Sequence, residues 1–113
     1  MLKSFRHTGI VTSDIKKMTN FYKTLGFVEE TRAIETGEFI DQLVHLKNVR
    51  VETIKMKTPD GFLIELLKYH SHPQFLRETN SKSYELGCSH LAFTVDDIDK
   101  ACEMIEKFLD WRM

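Results

Sequence analysis

The segment His7-Thr-Gly-Ile-Val-Thr-Ser-Asp14-Ile15-Lys-Lys17 returns 83 residues further on as His90-Leu-Ala-Phe-Thr-Val-Asp-Asp97-Ile98-Asp-Lys100. Histidine, aspartate, isoleucine and the second lysine fall in register between the two copies (7 and 90, 14 and 97, 15 and 98, 17 and 100). Each copy reads as a short strand carrying a histidine, an acidic turn, and then an amphipathic helix. Two equivalent strands that each present an imidazole suggest a duplicated module with one shared site. Imidazoles that converge on one spot point to a metal.

The chain has 113 residues, 42% of them hydrophobic, which suits one ordinary domain rather than a disordered segment. Its net charge is −1 and its longest positive cluster is Lys16-Lys17, too little for an electrostatic footprint on nucleic acid. No apolar run approaches the roughly 20 residues that a membrane span needs. Met1 to Arg6 leads into a strand without an apolar signal region, so a cytoplasmic location is expected. Two cysteines make no disulfide scaffold, and Cys88 and Cys102 are expected to be reduced and buried.

Along the chain, Ser4 to Thr12 reads as a first strand, with Phe5, His7, Gly9 and Val11 on one face by period two. Ser13 or Asp14 then caps a helix whose apolar stripe is Ile15, Met18, Phe21, Tyr22 and Leu25, and Gly26 supplies its stop. Phe27 to Ile34 is a strand with Glu29, Glu30 and Arg32 exposed. Gly37 to Leu46 fits a short helix better than a strand. Val49 to Lys57 and Phe62 to Tyr69 form a hairpin through the turn Thr58-Pro59-Asp60-Gly61. Residues 70–86 read as a connecting arm. Gly87 to Val95 is expected as the strand of the second copy. Asp96 or Asp97 then caps a final helix with the stripe Ile98, Ala101, Cys102, Ile105 and Leu109.

The reading is therefore an α+β fold within one structural domain: a βαβββ module over 1–69, the arm over 70–86, and a strand and helix over 87–113. One complete module is followed by the opening third of a second. The sheet is expected to be curved and mixed, flanked by helices.

Glu65 is the most telling residue for chemistry. Its strand, Phe62 to Lys68, is apolar on both faces except at Glu65, which lies between Leu63 and Leu67 on one side. A carboxylate on so apolar a face must be paired, protonated or bound to a metal, because lone burial costs several kcal/mol. The plainer reading is a glutamate on an edge strand pointing to solvent. His7 and His90 taken singly are ordinary strand histidines, satisfied in a core or at a rim. Together with Glu65 they make a competent first shell for a divalent ion, since imidazole suits Zn, Ni, Co, Mn or Fe and the carboxylate offsets part of the charge. Gly9, beside His7, would let a ligand or another chain approach closely. His70 and His72 read as solvated loop residues and His45 as an exposed helix-edge residue. Thr53 and Met56 are expected among the pocket walls. No phosphate loop or nucleophile elbow occurs.

Three stretches carry a resemblance. His7-x-x-Ile10-x-x-Ser13-Asp14-Ile15-x-x-Met18-x-x-Phe21-Tyr22-x-x-Leu25-Gly26-Phe27 resembles the opening of the glyoxalase/bleomycin-resistance/extradiol-dioxygenase superfamily, the vicinal oxygen chelate proteins. Asp60-Gly61-Phe62-Leu63-Ile64-Glu65-Leu66-Leu67 resembles the end of that family's first module. Gly87-Cys88-Ser89-His90-Leu91-Ala92-Phe93-Thr94-Val95-Asp96-Asp97-Ile98 resembles the start of its second. The resemblance implies paired βαβββ modules around a divalent metal that a substrate oxygen chelates. It places His7, Glu65 and His90 at three metal-ligand positions. A fourth ligand, commonly a glutamate on the last strand of the second module, has no matching position in this sequence.

Glu65 tilts the expectation towards a metal-dependent lyase or isomerase of the glyoxalase type, similar to lactoylglutathione lyase. Such an enzyme moves a proton next to the carbonyl of a small substrate, and Glu65, matched to a metal-ligand position, is also the in-chain carboxylate expected to take that catalytic role. The alternatives are a metal-free small-molecule binding protein of the bleomycin-resistance type, or a ring-cleaving dioxygenase. The uncovered second-module strand suggests a homodimer, with exchange of that segment between chains as one arrangement. No nucleic-acid or membrane partner is expected.

Overall fold

Two stretches of chain fold around their own caps and turns, and the computed structural model describes them over residues 1–75, 82–87 and 90–109, the side chain of Leu109 excepted. They form two compact units, Met1–Gln74 and Phe75–Met113.

In the first unit, β1 (Thr8–Val11) leads to α1 (Ile15–Thr24), β2 (Val28–Thr36), α2 (Glu38–Val44), β3 (Arg50–Lys57) and β4 (Leu63–Tyr69). Asp14 starts α1: its Oδ1 accepts the backbone N–H of Lys17 at 3.0 Å, satisfying one donor that the first helical turn leaves unpaired. The helix ends where Gly26 takes a φ of +107° and the Phe27 N–H returns to the Tyr22 carbonyl at 3.0 Å. The turn at Thr58 closes as its composition predicts. The Gly61 N–H donates to the Thr58 carbonyl at 3.0 Å, and Gly61 has a φ of +95°.

The four strands make one curved sheet in the order β1-β4-β3-β2. β1 pairs parallel with β4, while β4 with β3 and β3 with β2 are antiparallel. Strand alternation then gives the sheet two unlike faces. On one face Ile54, Met56, Ile64 and Leu66 pack against Ile15, Tyr22 and Phe27, with Tyr22 and Phe27 edge to face at 5.0 Å. This is the main core. On the other face α2 covers one end only, through Ile40 against Val49 and Val51, with Val44, Leu67 and Tyr69 at the margin. Met56 thus lies wholly inside the core on the α1 side, not in a pocket wall, because it differs in parity from Thr53.

The first unit extends past the last strand to Gln74. The His70 N–H reaches the Arg50 carbonyl at 2.8 Å, and the Ser71 hydroxyl accepts the Arg50 N–H at 2.8 Å. Gln74 accepts the Tyr69 N–H at 2.7 Å and donates to the Thr12 carbonyl at 3.0 Å, tying the ends of β4 and β1 together. His70 pairs with Glu52 at 3.0 Å, and His72 meets the Ser71 hydroxyl. Glu29, expected to be exposed, is instead half-buried between Arg32 at 2.8 Å and Lys23 at 3.8 Å. The hydrogen bond from Arg32 holds its carboxyl below the usual range.

In the second unit, α3 (Ile98–Leu109) starts as α1 does, with Asp97 Oδ1 accepting the Lys100 N–H at 3.0 Å. The repeated aspartate is therefore the N-cap in both copies. Two expectations need correction here. Residue 87 and residues 90–95 carry no strand ladder, and Cys88 and Ser89 lie outside the described residues. A strand is defined by its partner, and among the described residues this segment pairs with none. Cys102 is a free thiol and exposed, because the half-buried face of α3 is Ala101, Met104, Ile105 and Phe108, which turns Cys102 and Ile98 outward. No helix among the described residues is long and apolar enough to cross a membrane.

Candidate metal-ligand site on the open sheet face

The face that α2 leaves uncovered is built in rows by the strand registers. Gly9, Glu65, Lys55 and Thr31 lie side by side across β1, β4, β3 and β2. Val11, Leu67, Thr53 and Ala33 form the next row on one side. One step along the parallel register in the other direction brings His7 level with Leu63 and Lys57.

Glu65 does not stand on an edge. β4 has β1 on one side and β3 on the other, so the carboxylate rises from the middle of the sheet between Leu63 and Leu67. Its Oε1 lies 3.5 Å from His7 Nε2, and the two side chains are 17% and 27% exposed. Gly9, the partner of Glu65 on β1, separates His7 from Val11, and a Cβ there would come within 3.3 Å of Leu67 Cδ1. The glycine therefore keeps the floor between His7 and Val11 low.

The separation of 3.5 Å is long for a charge-assisted hydrogen bond. It matches another geometry. Two ligand atoms each about 2.1 Å from one ion, at a tetrahedral angle, stand about 3.4 Å apart. Imidazole nitrogen with carboxylate oxygen is also a donor set that zinc and its neighbours accept. His7 and Glu65 thus fit two corners of such a centre. His90 belongs to the second unit and is exposed. Among the described residues, no group of three or more His, Cys, Asp and Glu side chains is gathered closely enough to hold a metal ion. Of the other histidines, His45 caps α2 in a left-handed conformation (φ 60°) and is exposed, as expected.

Lys55 is a feature of this face that no sequence motif marks. The hairpin turn does reveal it: Lys57 pairs with Leu63, so the next inward-matching pair is Lys55 with Glu65.

The sheet order, the capped helix and the His7–Glu65 pair together define a βαβββ module with a polar pair on its open face. The chain belongs to the glyoxalase/bleomycin resistance protein/dioxygenase superfamily, whose family model matches residues 6–108. It is 30% identical to the uncharacterized protein YwkD of Bacillus subtilis strain 168, over 95% of this chain and 73% of YwkD. It also matches the crystal structure of a glyoxalase family protein from Bacillus cereus with a TM-score of 0.87 at 29% identity, over 95% of this chain and 72% of that one. The solved structure of SMU.1112c shares the fold at a TM-score of 0.56 and 20% identity, over 95% and 75% of the two chains.

Proposed function

We propose that the chain is a metal-dependent lyase or isomerase of the glyoxalase type, acting on a small carbonyl compound by proton transfer at the carbon next to the carbonyl. The observation that carries this reading is the His7 Nε2–Glu65 Oε1 separation of 3.5 Å on the open sheet face, with the carboxylate between Leu63 and Leu67. His7 and Glu65 would hold the ion, with His90 as the third donor. A bound divalent ion supplies Lewis-acid polarisation of the substrate oxygen. Glu65 turns Oε1 towards His7, and its Oε2 takes and returns the substrate proton. Leu63 and Leu67 flank that carboxylate and limit water around it.

The test is the metal content of freshly purified protein by mass spectrometry. Wild type is expected to carry about one zinc, nickel, cobalt, manganese or iron ion per chain, and His90→Ala to carry little. Stoichiometric metal retained in His90→Ala removes that residue from the site. A wild type that binds no divalent ion favours the metal-free binding protein instead, and Fe(II)-dependent oxygen uptake favours the dioxygenase.

The same reading includes a homodimer. Light scattering across a wide concentration range is expected to give twice the chain mass, and a stable monomer throughout overturns it.

A further inference from the structure

We propose that Lys55 forms an oxyanion subsite beside His7 and Glu65, so that the substrate carries a carboxylate or phosphate one strand away from the oxygen engaged at that pair. This rests on the reading of His7 and Glu65 as metal ligands.

Lys55 stands directly opposite Glu65 in the β3–β4 register, so the two side chains leave the same face from Cβ atoms about 4.5–5.5 Å apart. Yet Glu65 is paired with His7, and no carboxylate lies within 4.0 Å of the Lys55 ammonium among the described residues. Lys55 is half-buried, unlike Lys57 further along the strand, which is exposed. A partly desolvated ammonium without a counter-ion is unfavourable unless an anion completes it.

The charge balance of the site points the same way. A divalent ion held by His7 and Glu65 keeps a residual positive charge, because one carboxylate offsets only part of it. Lys55 adds a further positive charge one strand away. Apart from Glu65, which turns to His7, its neighbours on the face, Thr31 in β2 and Thr53 in its own strand, offer hydroxyl groups but no negative charge. A substrate with an oxyanion beside its chelating oxygen meets both charges at once. A neutral carbonyl compound leaves Lys55 unpaired.

The experiment titrates the full chain with pyruvate, dihydroxyacetone phosphate and neutral dihydroxyacetone, with and without zinc, following the His7 ring resonances by NMR. Wild type is expected to prefer at least one anionic probe over dihydroxyacetone by tenfold or more. The preferred probe identifies the oxyanion as carboxylate or phosphate. Lys55→Met is expected to bring the ratio near one with zinc affinity unchanged. Lys55→Arg is expected to keep most of the preference, and Lys57→Met to leave it within twofold. The proposal is overturned if wild type shows no preference, if Lys55→Met retains it, or if Lys57→Met loses as much as Lys55→Met. A Lys55-dependent preference in protein that binds no zinc overturns the metal reading and leaves the subsite standing.

Discussion

Glu65→Leu is expected to abolish divalent-metal binding while making the protein more stable. The carboxylate sits between Leu63 and Leu67 in the middle of the sheet and its side chain is 17% exposed, a place that favours an apolar side chain over a charged one. Replacing a whole partly buried ionic pair by apolar side chains is often neutral or stabilising. The partner that Glu65→Leu leaves behind, the His7 imidazole, is 27% exposed and reaches water, so no buried charge is stranded. The gain here should be about 0.5–2 kcal/mol. For a domain near this size each kcal/mol raises the thermal midpoint by roughly 4–8 °C. Metal affinity should fall by more than the ~10–100-fold that loss of an outer-shell partner costs, since a direct ligand is removed. Circular-dichroism melting and a zinc titration on the same sample check both halves. Unchanged zinc affinity removes Glu65 from the site, and a lowered midpoint shows that the carboxylate stabilises the fold.

The second large effect lies one residue further along β4 and has the opposite character. Leu66 has no exposed surface and packs with Ile54, Met56 and Ile64 under α1. Leu66→Ala should cost about 2–5 kcal/mol, from lost burial together with the cavity left behind. Domains of this kind have only about 5–15 kcal/mol in total, so the variant should unfold at a much lower denaturant concentration. Leu67→Ala, on the half-buried face, should cost clearly less. Equal midpoints for the two variants would contradict the assignment of faces.

Much of the first unit was legible because local signals agreed with one another. Asp14, the apolar stripe of α1 and Gly26 mark the helix from both ends, and Thr58 to Gly61 sets the hairpin register. Period two also placed Glu65 correctly between Leu63 and Leu67. The repeat itself was partly a capping signal, since Asp14 and Asp97 each accept the N–H three residues on.

Other features could not be read locally. That β4 is central depends on its parallel pairing with β1, and no short-range pattern encodes which strands become neighbours. The segment after Gly87 has strand-like residues, but a ladder needs a partner, which propensity does not supply. Two overlapping stripes fit the helical period of α3, and Met104 and Phe108 make the half-buried one, which leaves Cys102 outside it. The Lys55–Glu65 pairing was available from the turn but carries no motif of its own.

The parallel pairing of β1 with β4 joins the first strand of the unit to its last. Closing so long a stretch of chain costs loop entropy, which the contacts of the intervening strands and α1 must offset. His7 and Glu65 therefore become a pair of donors only in the fully assembled unit. A cation held by both, as proposed, would sense the whole fold at once: it would bind the native chain and find no comparable site in the unfolded one. Occupancy then raises the free energy of global unfolding by an amount set by cation concentration over its dissociation constant. With a cation bound as proposed, the pair would be a thermodynamic clamp on the unit's two chain ends.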